Sequence, residues 1–435
     1  MHPPAALRPL GSRPFARLWA GQFTALMSDG AFSTMLIWLA LDRGGALALS
    51  VVATARLVPR MILVLVGGAL ADRLPRTVVL RTTLLAQAGC AAALAALAAA
   101  NRAGVAQLAI LGAVSGAAGA PFFPALNATV PDIVAPPELP AANSLIATGR
   151  LLGQQFLGPG LGGLLLGAID TTSAFAAVAI GYAIGGLAIP RLRSRQSEPS
   201  HADRGEGFGA SLVAGARYVV RTRWLLLVLL SFAVSNLLTA GPAVTLVPDL
   251  VHTRFHGSPS ALGALLASYG IGGAFAVLAV VHVVPVRDRP ALRLLFLAVI
   301  ASSLCLGLLG LVGNMPCAMA LYALAGASAE AGNVLWTTVL QRQAPRNMLA
   351  RLSSVDWFLS LSLVPVSTTL AALAATQISP GDVLLATGTT CALAMAIGAG
   401  LLSRTTVADP LPGEPAFSPV ESRPSAAAPN FADTP

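Results

Sequence analysis

The sequence contains little charge and no lysine. Charged residues make up 10% of its 435 positions, and all 27 basic residues are arginines. Soluble domains carry about 25% charged residues. A soluble fold of this length could not cover its surface with so few polar groups. The low charge therefore excludes an ordinary soluble domain and indicates a protein embedded in lipid.

Signals for catalysis, cofactors and metals are also scarce. The four cysteines lie inside apolar segments without a Cys-x-x-Cys pair, so we expect no disulfide framework and no thiolate metal site. No Walker-type phosphate loop occurs, so ATP is not the direct energy source. His252 and His256 are four residues apart but have no further clustered ligand. We expect no metal, no cofactor and no nucleic-acid partner, and an integral membrane enzyme stays a remote alternative.

Long hydrophobic runs dominate what is present. Hydrophobic residues make up 55% of the chain and the mean hydropathy is +0.75. A membrane-spanning helix needs about 20 apolar residues, and twelve such runs occur. The predicted spans are 18–41, 47–70, 77–100, 104–128, 140–168, 171–190, 224–247, 259–284, 291–312, 315–340, 348–375 and 381–402.

The arginines between the spans predict the topology. If the N-terminus is cytoplasmic, 21 arginines fall in cytoplasmic segments and only Arg43, Arg102 and Arg254 fall in segments on the outer side of the membrane. Cytoplasmic loops of membrane proteins carry such an excess of positive charge. We therefore expect a multi-pass protein of the bacterial inner membrane with both termini in the cytoplasm.

Polar breaks divide the chain into two similar halves. We predict a cytoplasmic N-terminal segment at 1–17, six-helix bundles at 18–190 and 224–403, and a disordered cytoplasmic tail at 404–435. The linker 191–223 should contain an amphipathic helix. A proline, a short polar stretch, a helix and a second proline follow one another in both "PPELPAANSLIATGRLLGQQFLGP" and "APRNMLARLSSVDWFLSLSLVP". Duplicated six-span halves are typical of secondary transporters.

The stretch "GGALADRLPR", residues 67–76, follows the second span. Asp72 comes at the end of a helix, where the helix dipole disfavours an anion, so it requires a partner. The stretch resembles the loop 2–3 signature of the major facilitator superfamily, although one basic residue is missing. The resemblance implies a fold of twelve helices in two pseudo-symmetric bundles, and a conformational latch made by Gly68, Asp72, Arg73 and Arg76. The alternative is that any cytoplasmic turn attracts such charges.

A second motif, "GQQFLGPGLGG", lies in the fifth span. Its Gly158, Pro159, Gly162 and Gly163 resemble the antiporter motif of drug exporters in that superfamily, which implies export by antiport. Ordinary glycine-mediated helix packing is the alternative. The segments 121–145 and 215–225 resemble the branch that includes enterobactin-type siderophore exporters and macrolide efflux proteins.

Six charged residues lie inside the spans and away from their ends, where a charge is costly and marks a candidate functional site. They are Asp29, Arg56, Arg60, Arg150, Glu330 and Asp356. Asp29 and Arg60 share a depth on consecutive helices, which predicts an ion pair that is either a fixed bridge or a substrate or proton site. Glu330 lies among small apolar residues and is the preferred proton carrier. Asn333 and Trp336 should share its face, unless Glu330 simply binds Arg150 and joins the halves.

These features predict a secondary transporter, working by alternating access, that exports an amphipathic small molecule such as a drug or siderophore in exchange for protons. An importer or facilitator of a small metabolite on the same fold stays open as an alternative. We expect its partners to be the substrate, protons and the lipid bilayer, and we expect a monomer.

Overall fold

The computed structural model of the chain describes residues 5–71, 75–190, 216–280, 288–344 and 348–405. Within these ranges the chain forms helices and no strand. Helices satisfy every backbone hydrogen bond internally, as lipid requires. The described residues form twelve spans, which we name α1 to α12.

The first two spans form one helical run, Arg13–Ala71, which is broken at Gly44 and Gly45. Gly45 has φ of +62° and ψ of −157°, a conformation that side-chain-bearing residues rarely adopt. The break reverses the chain and defines α1 (13–43) and α2 (46–71). The remaining spans are α3 (Arg76–Ala99), α4 (Val105–Gly119 and Phe122–Ile133), α5 (Leu139–Arg150, Leu151–Leu157 and Gly158–Ala168), α6 (Thr171–Ala188), α7 (Arg223–Thr253), α8 (Pro259–Val280), α9 (Asp288–Leu308, continued by Leu309–Leu311), α10 (Met315–Gln343), α11 (Leu349–Ser362 and Val364–Ala374) and α12 (Pro380–Ser403).

Eight helical stretches in the described ranges have the length and hydropathy to cross a membrane, and the first of them runs through both α1 and α2. The interrupted spans α5 and α11 are not among the eight, and neither is α10. In α5 the α-helix changes to a π-helical segment at Leu151–Leu157. In α11 the helix breaks at Leu363, just before Pro365.

The two sets of six spans have separate hydrophobic cores. One cluster of buried side chains belongs to α1–α6, and two others lie mainly in the second half, among α7–α12. The expected fold class, two six-helix bundles, is therefore confirmed. Helix α1 begins at Arg13, five residues before the predicted span, because Phe15 and Leu18 pack into the first core.

The other predicted segment boundaries stay predictions. Residues 191–215 and 406–435 lie outside the described ranges. Of the predicted amphipathic helix, residues 216–221 are described and helical, with Val219 buried and Val220 exposed.

Both ends of the described chain lie on one face of the bundle, which we call the terminal face; the turns at 44–45 and 254–258 lie on the opposite, distal face. The halves meet closely where α5 packs on α8. A methyl group at Gly263 would lie 2.6 Å from the carbonyl oxygen of Pro159, and one at Gly163 would collide with the backbone of Pro259. Glycines on both helices therefore allow the backbones to touch.

Two further contacts join the halves in their distal part. The hydroxyl oxygens of Thr54 in α2 and Thr368 in α11 are 3.2 Å apart. The rings of Trp38 in α1 and His252 in α7 meet edge to face, with centroids 5.2 Å apart. These contacts between the halves all lie nearer the distal face than the terminal face.

Candidate functional site

A hydrogen-bonded carboxylate lies at the centre of the first half. Asp29 of α1 has an exposed fraction of 7%. One of its oxygens, Oδ1, accepts hydrogen bonds from Arg56 Nη2 at 2.6 Å and from the Tyr182 hydroxyl at 2.9 Å. The other, Oδ2, accepts one from Gln154 Nε2 at 2.7 Å. Asp29 thus connects four spans, α1, α2, α5 and α6.

The expected ion pair between Asp29 and Arg60 is wrong, because Arg56 is the partner. Arg56 also donates to the hydroxyl of Ser33, four residues beyond Asp29 on the same face of α1. An arginine side chain can span one helical turn of about 5.4 Å, so Arg56 reaches both groups. Its guanidinium lies 5.4 Å from the centroid of the Phe32 ring. Arg60 makes no ion pair within the described ranges.

Glycines bring the surrounding helices close enough for this network. A methyl group at Gly30 would lie 2.6 Å from the carbonyl oxygen of Gln154, so α1 and α5 touch beside Asp29. A methyl group at Gly116 of α4 would collide with the carbonyl of Arg56. Gly116 therefore lets α4 press α2 towards α1 at the level of the ion pair.

The proposed antiporter motif lies between α1 and α8. Methyl groups at Gly158 and Gly162 would lie 2.7 Å from the Met27 oxygen and 2.5 Å from the Ala31 oxygen, respectively, both in α1. The Pro159 carbonyl and Gly163 contact α8 instead, as described above, while the Pro159 ring lies against Gly30 of α1. The motif thus packs one side of α5 on its own half and the other side on the opposite half.

The π-helical segment of α5 precedes this motif directly. Gln154 bonds to Asp29, while the next residue, Gln155, packs its backbone against Gly270 of α8. Single π-helical turns are rare and frequently occur at functional sites. Here the segment places two neighbouring residues against two different halves of the molecule.

In the second half, Glu330 of α10 makes no hydrogen bond or ion pair with any residue that the structure describes. Its side chain packs on α8, where a methyl group at Gly273 would lie 2.8 Å from Glu330 Cγ. Asn333, three residues further, is exposed. The expected alternative bond between Glu330 and Arg150 is not present.

Trp336 does not share the face of Glu330, and this part of the expected site is wrong. Its exposed fraction is 5%, and its ring lies edge to face with Phe232 at 5.3 Å. The indole nitrogen donates to Asp356 Oδ2 at 2.9 Å. With 3.6 residues per turn, each three-residue step falls about 60° short of a full turn. Two steps therefore rotate Trp336 about 120° away from Glu330 and into the core.

Arg150 ends the first helical part of α5 and is exposed. Twelve residues of helix separate it from the terminal face, a rise of about 16 Å, so it lies near the middle of the span. Its guanidinium lies over the ring of Phe123 in α4, 5.7 Å from the centroid. An exposed cation at this depth can contact a ligand between the halves.

The expected latch is described only in part. Asp72 and Arg73 lie outside the described residues, and for Gly68 the structure describes only helical backbone. Arg76 begins α3 and donates to Asp132 of α4 at 2.8 Å. It also donates to the Ala128 carbonyl at 2.7 Å. Arg76 thus ties α3 to α4 at the terminal face.

Sequence reasoning missed Tyr182 and Asp132. Tyr182 lies in an otherwise apolar span, and a phenol at that depth needs a hydrogen-bond partner, which was a usable signal. Asp132 follows a proline at the end of a span and resembled an ordinary turn residue. Within the described ranges, no group of three or more His, Cys, Asp or Glu residues is placed to hold a metal ion.

The sequence matches one family model, described as Major Facilitator Superfamily, over residues 18–366. The chain belongs to this superfamily. It is accordingly a multi-pass membrane transporter, and members of the superfamily carry small molecules rather than catalyse reactions. Superfamily membership, expected from the "GGALADRLPR" stretch, is confirmed.

Relatives with related sequences carry the name multidrug efflux pump Tap. The protein from Mycolicibacterium fortuitum is 27% identical over 369 residues, which cover 82% of this chain and 88% of that protein. The protein from Mycobacterium tuberculosis (strain ATCC 25618 / H37Rv) is 26% identical over 365 residues, covering 80% and 84%.

Solved structures of superfamily transporters share the fold. A POT family transporter in complex with 5-aminolevulinic acid aligns with a TM-score of 0.68 at 12% identity, covering 89% of this chain and 95% of that one. A bacterial homologue of the iron transporter ferroportin in an inward-facing state aligns with a TM-score of 0.65 at 14% identity, covering 89% and 98%. At such identities the likeness concerns the fold alone.

Proposed function

We propose that this transporter exports an amphipathic small molecule in exchange for protons. The efflux-pump names of its relatives support the direction, as does the glycine-proline motif of α5. The excess of arginines at the terminal face supports a cytoplasmic location for that face. The described contacts between the halves then close the outer side and correspond to an inward-facing arrangement.

The observation that carries the proposal is a continuous line of contacts between two carboxylates in different halves. Asp29 bonds to Gln154, Gln155 packs on Gly270, and Gly273, less than one turn further along α8, packs on Glu330. A shift of α5 against α8 therefore acts on both acids. Proton uptake at one of them can bias the halves towards one of two arrangements by differential affinity.

At Asp29 the chemistry of coupling follows from the ion pair. A carboxylate that takes up a proton loses its charge and most of its attraction to Arg56. This loosens the link between α1 and α2, while Tyr182 and Gln154 can still bond to the neutral acid. Proton release restores the pair. Asp29 is thus a proton site whose occupancy changes how tightly the first bundle is held.

For the substrate, the walls between the halves offer charges of both signs. Arg150 presents an exposed guanidinium, and α10 presents the Asn333 amide and the unpaired Glu330. Apolar surface with few polar groups is typical of small-molecule sites. We propose a substrate with an apolar body and an ionisable group, such as a drug or siderophore.

The latch at the terminal face belongs to the alternating cycle. In our proposal Asp72 and Arg73 close the cytoplasmic side in the outward-facing state, with Gly68 as the helix contact. Arg76 stays bound to Asp132 and keeps α3 and α4 together as one rigid unit. A single chain contains both halves, so the monomer suffices for transport.

Transport in proteoliposomes tests the proposal. The purified protein is reconstituted in one orientation with a panel of fluorescent cationic and zwitterionic drugs, and an imposed proton gradient drives uptake or release. We expect gradient-driven movement away from the terminal face, abolished in Asp29→Asn. Movement towards the terminal face would favour the importer alternative. Drug movement by the wild-type protein that does not depend on the proton gradient would exclude proton coupling.

The orientation has a separate test, because Cys317 is exposed near the distal face while the other three cysteines are buried. A membrane-impermeant maleimide added to intact cells should label wild-type protein and not Cys317→Ser. Labelling that requires broken cells would place the distal face in the cytoplasm and contradict the topology.

A further inference from the structure

A small cavity lies against Asp29, and Arg56 is not among the residues that line it. Its volume is about 20 Å³, and its polar walls are Asp29, Arg60, Gln87 and Gln154. Phe123 of α4 closes one side. Five spans, α1 to α5, contribute these side chains, so the cavity lies within the first bundle.

Two of the polar groups in its wall have no protein partner. The Gln87 side chain of α3 has an exposed fraction of 6% and makes no hydrogen bond within the described ranges. Arg60 likewise makes neither a hydrogen bond nor an ion pair there. A buried polar group without a partner costs roughly 1–3 kcal/mol, and more when it is charged. The buried Gln87 amide therefore requires a ligand in the cavity, and the half-buried Arg60 guanidinium can bind the same ligand.

The size of the cavity selects that ligand. One water molecule needs roughly 10–15 Å³ and two to four polar partners. The cavity has room for one water and too little for an organic molecule. Arg60 can only donate, the ionised Asp29 can only accept, and amides can do both. A water molecule, which donates and accepts, fits all of these groups at once.

We propose that this cavity binds one structural water molecule, which connects Arg60 and Gln87 to Asp29 and delivers protons to that carboxylate. The role in proton delivery rests on the proposed function; the water site does not. In the transfer step a hydronium ion in the cavity breaks one O–H bond, and the proton forms an O–H bond on Asp29. Neutral water remains, still held by Arg60 and Gln87. The other groups facing Asp29 are Arg56, Tyr182 and Gln154.

The same geometry assigns a gate to Phe123. Phe123 lines the cavity, and its ring also contacts the exposed guanidinium of Arg150, whose carbon lies 5.7 Å from the ring centroid. This cation–π contact holds the ring in place. A substrate group that binds Arg150 would draw it away from Phe123. Substrate binding would then open the route by which protons reach the water.

Infrared difference spectroscopy on the intact purified protein tests the water site. Spectra are taken between acidic and alkaline buffer, in ordinary water and in water enriched in heavy oxygen. We expect an O–H stretching band that shifts with heavy oxygen and disappears in Gln87→Met. It should persist in Gln22→Met, a buried glutamine that does not line the cavity. Its absence from wild-type protein, or its persistence in Gln87→Met, would overturn the site.

A second variant protects this result if Gln87→Met does not fold. In Gly119→Ala the new methyl group would lie 3.0 Å from Gln87 Nε2, and because Gly119 also lines the cavity, it would displace the amide or narrow the cavity. The same band should weaken or shift in frequency. An unchanged band would count against the site as strongly as its persistence in Gln87→Met.

The gate is tested by the rate of proton uptake after a pH jump. That rate is measured from the carboxyl infrared band that is lost in Asp29→Asn. Phe123→Ala and Arg150→Gln should each accelerate uptake several-fold, whereas Phe23→Ala, at a residue that does not line the cavity, should not. Equal rates in all variants would remove the gate. If the water band persists while liposomes show no proton-driven transport, the proposed function falls and the water site stands.

Discussion

The two halves of this transporter differ in the partners of the acids that lie inside their predicted spans. In the first half, Asp29 accepts hydrogen bonds from Arg56, Tyr182 and Gln154. In the second half, Asp356 accepts one from Trp336, and Glu330 has no partner among the described residues. The difference begins in the sequence. The span α2 carries Arg56 and Arg60, whereas its counterpart α8 carries no charged residue.

This asymmetry separates two tasks. A carboxylate that is paired with an arginine holds the surrounding helices together. Removing the carboxylate leaves the buried cation without a counter-charge. An acid without a partner organises nothing and is free to interact with protons or with a ligand. The first half is built around an ion pair that protonation of Asp29 would loosen, and the second around an acid with no described partner, on the same six-helix plan.

The largest expected effect comes from breaking the ion pair. Arg56→Met leaves Asp29 buried without its cation, and removing one partner of a buried pair costs about 3–5 kcal/mol. Thermal unfolding in detergent should show a large loss of stability. Arg60→Met, which breaks no ion pair, is the matched control and should cost less. Equal losses would mean that Arg56 has no special structural role.

The next effect concerns the packing that holds the first half around Asp29. In Gly162→Ala the methyl group would lie 2.5 Å from the Ala31 oxygen, a backbone atom that cannot move easily. Such overpacking costs about 1–3 kcal/mol. Gly160→Ala, whose methyl group would lie 3.8 Å from the Ala267 methyl, should be tolerated. Unfolding midpoints that coincide for the two variants would contradict the close contact of α1 and α5.

An effect of similar size is expected at Tyr182. Tyr182→Phe removes one hydrogen bond to a charged group, worth about 1.5–3 kcal/mol. In an Asp29→Asn background the same change should cost less, because the acceptor has lost its charge. A double-mutant cycle measures this coupling. Additive losses would show that the phenol is not engaged with the carboxylate.

The smallest effect on stability is expected at Glu330, where the effect on transport should nevertheless be large. Glu330→Gln removes a charge that has no described partner, so the free energy of unfolding should change by no more than about 0.5 kcal/mol. Proton-driven transport should nevertheless be lost, since an amide cannot exchange a proton at ordinary pH. Unchanged coupling in this variant would assign the proton solely to the first half.

Depth in the membrane could be read from the sequence, but the partners of buried groups could not. Counting residues from the ends of the spans placed Asp29, Arg150 and Glu330 near mid-membrane. The same count favoured Arg60 over Arg56, because it ignores the length and direction of the side chain. The prediction that Trp336 shares the face of Glu330 was wrong for a related reason, since an error of about 60° in each three-residue step accumulates along a helix.

Amino-acid order alone was sufficient for the helices, their number and the superfamily, because lipid tolerates little besides long apolar helices and arginines resist crossing it. Only the packed molecule could show that Arg56 holds Asp29, that Gln154 and Gln155 face different halves, and that Gln87 and Arg60 border an internal cavity. These relations depend on how helices distant in the chain are rotated and pressed together. That arrangement is decided by backbone contacts at glycines such as Gly30, Gly116 and Gly163, which no local pattern specifies.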